Sequence, residues 1–154
     1  MPIASFPAAK NQEFSALGFD YGLNRIGVAY GQSISGTATP LPVIRAHDGI
    51  PDWAVIQGLI AEWQPDLLVV GIPYHGTTNE NEMLHRARKF TRRLHGRMHL
   101  PCYEIDETLS SVAAESIVNP RDRATLLDST AASLILQSWF NEWRNKLAKS
   151  SPES

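Results

Sequence analysis

The chain has 154 residues, 43% apolar and 19% charged, which is long enough for one core of ordinary size and short for two. No stretch approaches the ~20 consecutive apolar residues of a membrane span, and a formal net charge of -2 gives no global attraction to nucleic acid or to an anionic membrane. The single Cys102 excludes an internal disulfide and suits a reducing cytoplasm, and the first fifteen residues lack the charged start and long apolar run of a secretory signal.

Leu17 to Phe19 and Ile26 to Tyr30 are short β-like runs joined by DYGLNR, a Gly- and Asn-containing turn of hairpin type. The Gly-, Ser- and Thr-rich GQSISGTATP then leads into a third run, LPVIRA, from Leu41. In DWAVIQGLIAEW, Trp53, Ile56, Leu59, Ile60 and Trp63 recur at helical spacing, with Asp52 placed as N-cap. DLLVVGIP is a continuous apolar run, the pattern of a parallel strand covered on both faces. The next helix aligns Met83, Ala87, Phe90 and Leu94 in one stripe. PCYEID is a further short strand, SVAAESIV a short helix, NPRDR a loop, and a last helix runs from Leu126 through Leu127, Ala131, Leu134, Ile135 and Trp139. The whole predicts an α/β domain over 16–148, mixed because its hairpin strands come first, between a flexible segment 1–15 and a flexible tail 149–154.

Three acids stand where burial would penalise them: Asp20 ends the first strand run, Glu107 follows CYEID, and Asp128 lies near the start of the last helix. Taken singly, each has an ordinary reading, Asp20 as a turn former and the other two as charges favoured near a helix start. Taken together, a sheet with its first and fourth strands adjacent would bring Asp20 and Glu107 to one edge, and Ala131 and Ala132 would let the helix of Asp128 pack closely there. Three carboxylates around one point form a hard-oxygen site of the type that Mg²⁺ or Mn²⁺ takes, and two such ions support phosphoryl chemistry.

Five segments in order, GFDYGLNRIGVAYG, LLVVGIP, RARKFTRRLHGR, IDETLSSVAA and LLDSTAASLILQSWF, resemble the YqgF/RuvX family of bacterial RNase H-like nucleases, over about Leu17 to Phe140. Members are similar to Holliday junction resolvases and are implicated in maturing the 5′ end of pre-16S ribosomal RNA. The resemblance implies an RNase H-like fold: a five-stranded mixed sheet, its first three strands antiparallel, flanked by helices. It implies that Asp20, Glu107 and Asp128 hold Mg²⁺ or Mn²⁺ and direct phosphodiester hydrolysis. The substrate would be structured RNA, ribosomal precursor particles or branched DNA, acted on by a monomer or weak homodimer. Two departures stand out: Thr108 replaces the Arg that often follows the family's Asp-Glu, and RDRATLL replaces a Gly-Lys-type loop, leaving Arg121 and Arg123 as substitutes of different geometry.

Arg25, at the start of the second strand, is placed to meet a phosphate or to balance Asp20. Gly76 permits close backbone approach after the buried strand, and Thr77 offers a donor to phosphate oxygens. Six of the fourteen Lys and Arg residues fall between Arg86 and Arg97, with Arg86, Lys89, Arg93 and Arg97 on one side of the apolar stripe and Arg88 and Arg92 on the other. Such a face could be simply solvated or could neutralise phosphates with salt-dependent affinity. Two other functions share these features: a non-catalytic RNA, ribosome or transcription-associated binder, favoured by Thr108, and an actin-like ATP phosphate-binding domain, which would need a second such domain.

Overall fold

The computed structural model describes residues 13–72, 78–106 and 123–150, with 78–81, 123–130 and 146–150 described as backbone only. Six strands form one sheet in the order β4-β3-β2-β1-β5-β6. They are β1 (Ser15–Asp20), β2 (Arg25–Gln32), β3 (Thr37–His47), β4 (Ile50–Pro51), β5 (Leu67–Ile72) and β6 (Cys102–Asp106). The antiparallel start is as expected, β1 with β2 and β2 with β3. β5 then lies parallel to β1, and β6 parallel to β5.

The sixth strand corrects the expected count of five. His47-Asp48-Gly49-Ile50 closes a hairpin whose central residues have φ of 50° at Asp48 and 80° at Gly49. An Asp-Gly pair with both φ positive is the preferred two-residue hairpin loop, because its twist matches that of the strands it joins. β4 then ends at Pro51, which has no N–H to continue the ladder. β3 also starts at Thr37, earlier than the apolar run at Leu41 suggests.

Helix α1 (Trp53–Trp63) is capped by Asp52, whose Oδ1 accepts from the Ala54 N–H at 3.0 Å. With α2 (Thr78–Met98) it covers one face of the sheet, and the expected stripe Met83, Ala87, Phe90 and Leu94 packs against Phe19, Val28, Leu68 and Val70. Helix α3 (Arg123–Ser150) covers the other face. It begins three residues before the expected Leu126, and its buried stripe is Ala132, Ile135, Leu136, Trp139, Phe140 and Trp143, with Leu134 only half-buried. Its phase follows from Gly18 and Gly31. A Cβ at Gly18 would lie 3.0 Å from Leu136 Cβ, and one at Gly31 2.8 Å from Phe140 Cε2, so two bare glycines bring the helix onto β1 and β2. The SVAAESIV helix and all of the NPRDR loop but Arg123, which begins α3, lie outside the described residues. No described helix is long and apolar enough to cross a membrane.

Candidate functional site

The C-terminal ends of the parallel strands β1, β5 and β6 meet at one edge of the sheet. Asp20 is the last residue of β1 and is half-buried; it pairs in register with Gly71, and Ile72 pairs with Asp106. Strand alternation fixes the face of each side chain. Leu17 and Phe19 belong to the α1/α2 core, whereas Ala16 packs with the α3 core and Gly18 abuts α3. Asp20 therefore points to the α3 side.

Helix α3 runs along β1 in a readable register. Phe140 lies against Gly31, Leu136 against Gly31 and Gly18, and the Ala132 carbonyl against Gly18. Gly31 pairs with Ala16, so stepping back along α3 moves forward along β1. One further helical turn, four residues before Ala132, carries the backbone of position 128 towards the Asp20 end. Of the three expected acids, the Asp20 side chain alone is described: Glu107 lies outside the described residues, and Asp128 is described as helix backbone. Gly76, Thr77 and Arg121 also lie outside them, and Arg123 opens α3 as backbone only. Among the described residues no group of three or more His, Cys, Asp or Glu side chains gathers to hold a metal.

On the opposite face, one residue beyond Asp20, a cleft of about 340 Å³ lies between α2 and the β3–β4 hairpin. Arg86, Lys89 and Arg93 of α2 line it, together with Tyr21, Asp48 and Trp53. Three of the four cations expected on one side of the stripe thus share one cavity, while Arg97 lies over the Trp53 ring at 4.7 Å. Arg88 turns away to Glu104, at 3.8 Å. Lys89 and Arg93, one turn apart and exposed, repel each other. Arg86 is held by Asp48 Oδ1 at 3.3 Å and Glu82 Oε1 at 3.5 Å.

Tyr21, in the α1/α2 core beside the cleft, is a candidate functional residue that the sequence spacing did not single out. Its hydroxyl donates to the Gly49 carbonyl at 3.1 Å, and its ring lies 5.2 Å from Phe90. Burial pushes the phenol pKa up, against the opposing pull of Arg86, so the group stays a neutral donor at physiological pH. The Asp-Gly hairpin was a partial signal: its turn needs an anchor, but Tyr21 follows β1, which β2 separates from the hairpin, so only the assembled sheet brings the two together. Of the histidines, His95 Nδ1 lies 2.8 Å from the Leu100 carbonyl, where the chain leaves α2.

Comparison with known proteins follows the same outline. The family profile described as RuvX, Holliday junction resolvase, matches residues 14–142. A Marinobacter nauticus protein named as a candidate pre-16S rRNA nuclease is 48% identical over 131 residues, 82% of this chain and 92% of the relative. A Coxiella burnetii protein of the same name is 42% identical over 139 residues, 88% of this chain and 99% of the relative. Among solved structures, T. thermophilus RuvC in complex with a Holliday junction substrate superposes with a TM-score of 0.58 at 13% identity, covering 86% of this chain and 96% of that one. The yeast mitochondrial Holliday junction resolvase Ydc2 superposes with a TM-score of 0.51 at 12% identity, covering 97% and 83%. These likenesses establish the RNase H-like fold.

Proposed function

The chain belongs to the RuvX family, and on that premise we propose that it is an endonuclease hydrolysing phosphodiester bonds, in 5′-end processing of pre-16S ribosomal RNA or in branched nucleic acid. The observation that carries the reading is the α3 register, which directs helix position 128 towards the strand end bearing Asp20. The donor set of Asp20, Glu107 and Asp128 is all hard carboxylate oxygen, and the one described member stands half-buried at the sheet edge, in keeping with a Mg²⁺ or Mn²⁺ site. When bound, such ions neutralise phosphate charge and lower the pKa of water.

The chain's own groups position the substrate. Phosphates of the bound strand meet Arg86, Lys89 and Arg93 in the cleft, where an anion relieves the repulsion between Lys89 and Arg93. Arg25, Gly76, Thr77, Arg121 and Arg123 serve the strand nearer the cut, Arg25 from the start of β2. Tyr21 holds the β3–β4 hairpin that walls the cleft and so fixes the turn following Asp20. The purified chain with Mg²⁺ or Mn²⁺ is expected to cut a pre-16S 5′-leader RNA or a four-way DNA junction and to stop when the ions are chelated. Binding without cutting under every condition would replace the nuclease with a non-catalytic binder on the same fold.

A further inference from the structure

We propose that Arg45, a residue the phosphate-binding set above leaves out, joins Arg25 in a two-guanidinium site that grips a substrate phosphate next to the Asp20 centre. The inference rests on the phosphodiester reading and names a further binding residue for it. Arg25 and Arg45 are direct cross-strand partners of β2 and β3, and both are exposed.

A bulge decides which face the pair occupies. Between the pairs Val28–Leu41 and Ile26–Ile44, β3 carries two residues against one on β2. Leu41 and Ile44, three apart, consequently both enter the α1/α2 core, and Ala46 packs against it as well. Without the extra residue, position 45 would share the parity of Leu41 and face that core. With it, Arg45 points to the α3 side, where alternation along β2 also places Arg25, since its neighbour Ile26 belongs to the opposite core. That is the side of Asp20. Bulges are frequent beside active sites, where they re-aim side chains, and this one holds Pro42, which has no N–H to give to the ladder.

The distance is suitable for a strand that continues past the cut. Asp20 pairs with Gly27, and Arg25 lies two residues further along β2, about 7 Å at roughly 3.4 Å per residue. The Cβ atoms of directly opposed residues stand only ~5 Å apart, so both guanidinium groups are within reach of one phosphate. This site is separate from the α2 cleft, which lies on the opposite face of the sheet.

The test uses the full chain carrying Asp20→Asn, so that binding is read without cutting. The probes are a fluorescein-labelled RNA hairpin with a single-stranded 5′ extension and a four-way DNA junction, each titrated over a range of salt. Adding Arg45→Ala is expected to weaken binding several-fold on both probes and to reduce the slope of log affinity against log salt by about 1. Arg45→Lys is expected to keep the slope while losing part of the affinity. The melting temperature of free Arg45→Ala is expected to hold, whereas a purely structural arginine would lower it. An unchanged slope and affinity in Arg45→Ala, with binding otherwise intact, would overturn the two-guanidinium site and leave the nuclease reading standing. Failure of the unsubstituted chain to bind either probe would overturn both.

Discussion

Gly31→Ala tests the packing that brings α3 onto the sheet. An added Cβ would sit 2.7 Å from the Thr37 carbonyl oxygen, 2.8 Å from Phe140 Cε2 and 3.0 Å from Leu136 Cδ2. The Phe140 ring and the Leu136 methyl can shift only by moving the helix, and the Thr37 oxygen belongs to the β2–β3 pairing. Overpacking costs about 1–3 kcal/mol, and with a backbone atom in the way the upper part of that range applies. At about 2–4 °C per kcal/mol for a domain of this size, the melting temperature should fall by roughly 5–10 °C. Gly58→Ala is the matched control: Gly58 is exposed on α1 with nothing within 4 Å of its added Cβ, so it should gain up to about 1 kcal/mol from helix propensity. Thermal melts by circular dichroism read both. A Gly31→Ala melt within about 1 °C of the parent would refute the close seam, and with it the register that directs position 128 towards Asp20.

Three further outcomes follow from the same structure. Burial pushes the Cys102 thiol up to about 12, so in the folded protein it stays protonated and iodoacetamide at pH 8.5 should label it far more slowly than in denaturant. The sign for stability is set by the same shift: the unfolded thiol ionises near its ordinary value and the folded one does not, so this contribution is complete below about pH 8 and is lost as pH rises towards 12. Asp52→Ala removes the N-cap of α1 and should cost about 1 kcal/mol in chemical denaturation, with Asp52→Ser recovering most of it. Tyr21→Phe removes the bond to the Gly49 carbonyl and should cost about 1 kcal/mol and raise the apparent KM for nucleic acid more than it lowers kcat.

Much of this architecture was legible because its signals are local. The Trp53 to Trp63 periodicity with Asp52 before it, and the unbroken LLVVGI, need no tertiary information. The β4 strand was missed although its Asp-Gly loop was in plain sight, because two paired residues leave almost no alternation to detect. The phase of α3 was drawn partly on Leu134, whereas long-range contact with Gly18 and Gly31 selects Leu136 and Phe140. The same limit hid Arg45. Its face depends on a bulge, and a one-residue insertion inverts every side chain beyond it. At the candidate site, each acid taken singly reads as a turn or helix-start charge; their joint placement suggests a metal site, and the resemblance assigns all three to it. The clustering of Arg86, Lys89 and Arg93 was visible as helical spacing, but the Tyr21 and Asp48 wall opposite them comes from other strands and turns.

A carboxylate centre including Asp20 is expected to cut phosphodiester bonds. Its most direct test is single-turnover cleavage of the pre-16S leader RNA and the four-way junction by Asp20→Asn beside the parent chain, in Mg²⁺ and in Mn²⁺, with binding measured in parallel. Cutting is expected to fall by more than the roughly 10–100-fold typical of losing an outer-shell partner of a metal site, while the fold and nucleic-acid binding persist. Parental cleavage rates from a folded Asp20→Asn protein would contradict it.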